Sequence, residues 1–167
     1  MKPEVQNAIN KGMRVGKNCQ FISPGPNFGS EPYLITVGDN TTVSFDVAFV
    51  THDAGTRVLR NLAAPGTKEK QTVIYGEIEI GNNCFIGCRT TILPGVKIGN
   101  NCIIGAGSVV NRDIPDNTVA AGVPCKTICT LEEYKEKHKD DFLYMVNLPE
   151  EEKKKFLLNL YRGNKKK

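Results

Sequence analysis

The stretch Glu79-Ile80-Gly81-Asn82-Asn83-Cys84-Phe85-Ile86-Gly87-Cys88-Arg89-Thr90-Thr91-Ile92 decides the fold. Ile80, Ile86 and Ile92 stand six residues apart, and the same spacing continues through Ile98, Ile104 and Val110. Gly81, Gly87, Gly99 and Gly105 follow four of these apolar residues. Four positions after each apolar residue comes Cys84, Thr90, Val96, Cys102, Ser108 or Ile114, mostly small side chains. A short fixed period marks a solenoid, and a hexapeptide period marks a parallel β-helix. Each unit supplies one short strand and one corner. The apolar residue points inward, and glycine or a small polar residue turns the corner, where a Cβ in the wrong backbone region is costly. Three units close one coil, so positions eighteen apart stack: Cys84 against Cys102 and Ile80 against Ile98. An ordinary sandwich of short strands has no reason to hold six units in register. The fold expected is mainly β.

Outward from this run the pattern breaks in places. Towards the N-terminus, Val5, Ile9 and Met13 have helical spacing, which predicts a short capping helix within residues 3–12. Val15-Gly16-Lys17-Asn18-Cys19 is a first hexapeptide, with Phe21 at the next apolar position. The turn-rich Ser23-Pro24-Gly25-Pro26-Asn27-Phe28-Gly29 interrupts it. Val37, Val43 and Phe49 restore the period. The interval of 43 residues from Val37 to Ile80 is not a multiple of six, so a loop over residues 55–76 leaves the coil and returns. Long excursions of this kind are commonly functional.

Past Cys125 the periodicity becomes helical. Thr130-Leu131-Glu132-Glu133 reads as a capping box, followed by Leu131, Tyr134, His138, Phe142 and Met145 at spacings of three and four. A second helix is expected from Pro149, with Glu150, Glu151 and Glu152 at its positive end. Phe156, Leu157, Leu160 and Tyr161 form its apolar face, and residues 164–167 are expected to fray. The organisation expected is a β-helix domain over residues 1–129 and a helical extension over 130–167. The extension would cover the open end of the coil or pack on a neighbouring subunit.

The chain has 167 residues and a formal net charge of +4, with basic runs at Lys153-Lys154-Lys155 and Lys165-Lys166-Lys167. No aromatic residues interleave these runs in the manner of a nucleic-acid surface, so a solvated tail is expected and nucleic acid is not a predicted partner. Cys19, Cys84 and Cys102 occupy the small-residue position of the repeat, where cysteine acts as a compact apolar group. No CxxC pair suggests zinc, and His52 and His138 are too few for a three-imidazole metal centre. No metal site is predicted. Met1-Lys2-Pro3-Glu4 carries no apolar core of signal-peptide length, and no run of apolar residues is long enough to span a membrane. With reduced thiols, these features lead to a cytoplasmic expectation.

The hexapeptide run, His52 ahead of a long loop, Gly105-Ala106-Gly107-Ser108-Val109-Val110 and Ala121-Gly122-Val123-Pro124-Cys125-Lys126 together resemble the hexapeptide-repeat acyltransferases. Within that family the chain is similar to the maltose, galactoside and capsular-polysaccharide O-acetyltransferases. Phe28-Gly29-Ser30-Glu31-Pro32-Tyr33-Leu34-Ile35 joined to Val50-Thr51-His52-Asp53 resembles the capsule-modifying members in particular. The resemblance covers residues 15 to 130. It implies a left-handed parallel β-helix, a homotrimer with active sites between subunits, and acetyl-coenzyme A as cosubstrate. It further implies transfer of the acetyl group to a hydroxyl or an amine.

A sugar hydroxyl attacks a thioester only as its proton is removed, and a histidine titrates in the right range to remove it. The resemblance makes His52 that general base, with direct attack and no acyl-enzyme. Asp53 either orients the imidazole, contacts the acceptor, or serves only a turn. The matched family positions put Cys88, Ala106, Asn111, Arg112 and Lys126 on the cofactor, with the Ala106 main chain on the pantetheine arm and Lys126 on a phosphate. On the acceptor side stand Asn27 and Glu31, while a turn is the commoner use of an asparagine like Asn27. Arg57 and Arg60 would grip an acidic sugar or the cofactor. The reading is an acetyl-coenzyme-A-dependent O-acetyltransferase acting on a sugar or polysaccharide precursor. The alternatives are an N-acetyltransferase on an amino-sugar or antibiotic, and a non-catalytic scaffold.

Overall fold

The structure, a computed structural model, describes residues 2–163. Helix α1 (Pro3–Asn10) opens the chain with proline in its first turn, where the missing N–H costs nothing, and buries Val5 and Ala8. Fourteen short strands follow: β1 (Arg14–Val15), β2 (Gln20–Phe21), β3 (Ile35–Val37), β4 (Thr42–Val43), β5 (Ala48–Phe49), β6 (His52–Asp53), β7 (Ile74–Tyr75), β8 (Ile78–Ile80), β9 (Phe85–Ile86), β10 (Thr91–Ile92), β11 (Lys97–Ile98), β12 (Ile103–Ile104), β13 (Val109–Val110) and β14 (Thr118–Ala121). A short helix α2 (Thr56–Leu62) lies between β6 and β7. Strand β15 (Lys126–Thr130) then folds back antiparallel on β14.

Three parallel sheets take the strands in rotation. The first holds β1, β3, β8 and β11; the second holds β2, β4, β9, β12 and β14; the third holds β5, β10 and β13. Successive strands therefore enter successive sheets, and the expected stacking is met: Ile80 pairs with Ile98, and Ile86 with Ile104. The inward residue of each unit is completely covered, as at Ile35, Ile78, Ile86, Ile92, Ile98, Ile104 and Val110. Each such burial contributes about 1.5–3 kcal/mol. Phe28 stacks on Phe49 with ring centroids 5.4 Å apart, and both rings are buried in the first two coils.

The corner between the first and second sheets is built on asparagine. Asn18, Asn40, Asn83, Asn101 and Asn117 all turn it with φ between 54° and 57°. Asparagine tolerates this left-handed region better than other residues bearing a Cβ. The residues just before them form a ladder along the coil axis. Asp39 accepts the N–H of Lys17 at 2.7 Å, Asn82 that of Asp39 at 2.8 Å, Asn100 that of Asn82 at 2.9 Å, and Asp116 that of Asn100 at 2.8 Å. Cys19, Thr41, Cys84, Cys102 and Thr118 follow the turning asparagines. Cys19, Thr41 and Cys84 each donate to a carbonyl one coil on, as in Cys84 Sγ to Gly99 O at 3.0 Å.

The coils differ in length only elsewhere. Stacked residues are 22 apart between the first two coils, 43 between the next two, then 18, then 16. Phe49 still pairs with Ile92, and Ile98 bridges to Ile114. The long excursion and the final shortening therefore both fall at the corner joining the third sheet back to the first. The residues after Asn27, which bridges to Ala48, hold most of the first coil's extra length at the same corner. The loop over 55–76 is itself structured. It leaves through β6 and returns through β7, with His52 opposite Tyr75, and Gly76 N–H closes the base on Thr51 O at 3.0 Å. A Cβ on Gly76 would collide with the backbone of Pro94 and Gly95 one coil away.

The chain divides into two compact units, Met1–Lys135 and Glu136–Lys167. Thr130 and Glu133 form the expected capping box, with Glu133 N–H donating to Thr130 Oγ1 at 3.1 Å and Thr130 N–H to Glu133 Oε2 at 2.7 Å. Helix α3 (Leu131–His138) stops earlier than its sequence spacing suggested, so Phe142 and Met145 lie beyond it. Asp140 and Asp141 oppose the negative end of a helix at that point, and Asp141 instead contacts His138 Nδ1 at 3.1 Å. Helix α4 (Glu150–Arg162) begins after Pro149 as expected. The frayed end and last basic run expected at 164–167 lie outside the described residues. Among the described residues no helix is long and apolar enough to cross a membrane.

Candidate active site

The third corner gathers the chemistry. Glu31 sits there in the first coil and His52 in the second, with Leu93 and Pro94 in the third. Glu31 Oε2 lies 2.9 Å from His52 Nδ1 and accepts the Thr51 hydroxyl at 2.8 Å. The Glu31 side chain is 13% exposed and the His52 ring 36%. Burial alone would raise the Glu31 pKa. Hydrogen bonds from Thr51, His52 and Ser30, with attraction to His52, outweigh it and hold the carboxyl below its ordinary value. An ionised carboxylate only accepts, so Nδ1 carries the proton, and in the neutral ring the lone pair is left on Nε2. Tyr75, returning on β7, places its ring 5.8 Å from the imidazole.

His52 opens onto a cavity of about 550 Å³ lined by Asn27, Phe49, Thr51, Gly55, Leu93 and Pro94, among others. Asn27 borders this cavity as well as turning its own loop: its Oδ1 accepts Gly29 N–H at 2.9 Å. Asp53 Oδ1 accepts Gly55 N–H at 2.7 Å. Asp53 thus makes a turn and also lines the cavity, while the carboxylate on the imidazole is Glu31, a residue expected on the acceptor side. A countable signal was there. The extra residues of the first coil fall at the same corner as the excursion after His52, so Glu31 stacks one coil away from it.

The residues expected on the cofactor lie elsewhere on this chain. Cys88 and Ala106 stack at the corner joining the second and third sheets, where Gly107 N–H donates to Cys88 O at 2.8 Å. Asn111 and Arg112 follow β13, exposed, one coil beyond Leu93 and Pro94. Lys126 opens β15, exposed. None of the five lines the His52 cavity. Among the described residues no group of three or more His, Cys, Asp or Glu is arranged to hold a metal ion.

Residues 72–112 match the model of the bacterial transferase hexapeptide (six repeats). Protein CapG of Staphylococcus aureus is 43% identical over 155 residues, covering 92% of this chain and 87% of that protein. This chain belongs to the hexapeptide-repeat acyltransferases. The galactoside O-acetyltransferase of Escherichia coli K12 is 36% identical to this acyltransferase over 77% of the chain, which spans 59% of that enzyme's length. A solved maltose O-acetyltransferase from Clostridium difficile 630 superposes with a TM-score of 0.54 at 28% identity, covering 75% of this chain and 73% of that one.

Proposed function

We propose that this acyltransferase transfers an acetyl group from acetyl-coenzyme A to a hydroxyl of a sugar or polysaccharide precursor, with His52 as general base. The observation that carries the proposal is the Glu31–His52 pair at 2.9 Å, with His52 lining the cavity of about 550 Å³. Nε2 takes the proton of the acceptor hydroxyl as its oxygen attacks the thioester carbonyl. Glu31 fixes the tautomer and stabilises the imidazolium so formed. The thiol of coenzyme A leaves with that proton, and the acceptor keeps the acetyl ester. The sugar O-acetyltransferases among the relatives support a hydroxyl acceptor.

The coil is read as a left-handed β-helix assembled as a homotrimer. Cys88, Ala106, Asn111, Arg112 and Lys126 miss the His52 cavity within one chain, which favours a cofactor lying in a seam between two copies. There Ala106 offers main chain to the pantetheine arm and Lys126 a point charge to phosphate.

The test is His52→Ala, assayed by free-thiol release across a panel of sugars and amino-sugars. The rate should fall about 10²–10⁴-fold, while acetyl-coenzyme A still raises the melting temperature by mass action. Full activity in the variant removes His52 from the mechanism. Transfer to amines alone would replace the hydroxyl reading.

A further inference from the structure

The excursion carries a second hollow that the mechanism leaves unused. Arg57, Arg60, Asn61 and Lys70 line a surface hollow of about 360 Å³. Arg57 and Arg60 lie one turn apart on α2, and Lys70 comes from the following 3₁₀ turn, Lys68–Gln71. Arg60 Nε is buried and has no hydrogen-bond partner. Among the described residues no acidic side chain pairs with Arg57, Arg60 or Lys70. Of the carboxylates nearby in sequence, Glu69 is engaged by its own backbone N–H and Thr67, which lower its pKa, and Asp53 by Gly55 N–H. Three cations converging on one hollow repel each other, and a buried guanidinium donor without an acceptor is unfavourable. An anion relieves both.

The position selects which anion. Gly55 lines the His52 cavity and directly precedes α2. Arg60 lies five residues further along, about 8 Å at a rise of roughly 1.5 Å per residue. The two hollows thus lie at either end of one short helix, which suits an acceptor with a sugar hydroxyl at His52 and a diphosphate on the anomeric carbon of the same sugar at α2. A lone carboxylate would occupy one guanidinium fork; a diphosphate has oxygens enough for two arginines and a lysine. The residues expected on the cofactor line neither hollow. We propose that Arg57, Arg60 and Lys70 form a diphosphate subsite, so that the acceptor is a glycosyl diphosphate rather than a free sugar. This rests on the sugar-acetylating reading of the His52 site and narrows its acceptor.

The experiment titrates inorganic pyrophosphate calorimetrically into the full chain, with and without saturating coenzyme A. Pyrophosphate should bind in both conditions. Binding should weaken about tenfold or more in Arg57→Gln/Arg60→Gln, as expected on losing hydrogen bonds to a charged group. Lys70→Gln should weaken it by a smaller factor and serves if the double variant misfolds. Affinity for coenzyme A should stay unchanged in both variants. Three results overturn the subsite: no pyrophosphate binding, binding indifferent to these substitutions, or displacement of pyrophosphate by coenzyme A. The last would assign the cations to the cofactor's own phosphates. Coenzyme A binding in the same titration reports on the acyltransferase reading separately, so either idea can fail while the other stands.

Discussion

Two corners of the same coil obey opposite rules. The asparagine corner repeats its backbone angle in five successive coils and runs a side-chain ladder through coil separations of 22, 43, 18 and 16 residues. The third corner takes up almost all of that variation. It holds a short loop with Glu31, an excursion bearing α2, the Pro94-Gly95 turn, and a shortened turn after Arg112. One corner keeps register so that the other is free to change. A one-coil fault in the asparagine ladder would leave backbone N–H groups without acceptors, whereas the third corner lets the chain leave the coil and close behind itself. The site forms where excursions from adjacent coils meet.

Substitution at each corner should separate these roles. The largest effect belongs to the third corner. Glu31→Gln keeps the shape but loses the charge facing His52, and turnover should fall about 10–100-fold with the loss of a charged hydrogen bond. KM for the acceptor should change much less, because the residue acts through the imidazole. The pH dependence has a defined sign. The Glu31 carboxyl is held below its ordinary value of 4.5, so its contribution to stability is complete above that pH and is lost as pH falls through the lowered value. Melting curves of Glu31→Gln should therefore lose part of the acid sensitivity of the parent. An unchanged acid limb together with unchanged turnover would show that Glu31 does not serve His52.

At the asparagine corner the expectation reverses. Asn100 accepts from Asn82 N–H at 2.9 Å and from Asn82 Nδ2 at 3.1 Å. Its own Nδ2 donates to Asp116 Oδ2 at 3.2 Å. Asn100→Ala should cost about 1–3 kcal/mol, since a donor in the ladder is left unmatched. Turnover below the new melting temperature should stay at the parent level. A loss of activity without a loss of stability would mean that the two corners are not separable.

The same division explains what the sequence revealed. Inward residues and asparagine turns repeat, so Ile80 to Val110 read directly as stacked coils, and even the 43-residue interval announced an excursion. Periodicity is silent about what a departure does once it leaves the coil. It could place His52 at the edge of the loop, and counting puts Glu31 one coil away at the same corner, but it could not foresee their hydrogen bond or β6 pairing with β7. The hollow of Arg57, Arg60 and Lys70 depends on a short helix and a 3₁₀ turn facing each other, for which no repeat exists. The stop of α3 at His138 coincides with Asp140 and Asp141, charges at the negative end of a helix that an apolar spacing ignores.

The smallest effect is expected inside the regular corner, at Cys84. Its thiol is 4% exposed and donates to Gly99 O at 3.0 Å. The hydrogen bond with Cys102, and then burial, push its pKa far up, so it stays a neutral thiol and should resist alkylation until the protein unfolds. One coil earlier Thr41 fills the same position and donates its hydroxyl to Gly81 O at 3.0 Å. An oxygen donor is therefore already accepted at this rung. Cys84→Ser preserves the donor and loses only the bulk of sulfur, and should shift stability by no more than about 1 kcal/mol. A larger loss would mean that sulfur packing against Cys102, rather than the donated hydrogen bond, holds the rung. In that case the threonine rungs would be the exceptions, each needing its own compensation from the neighbouring coil.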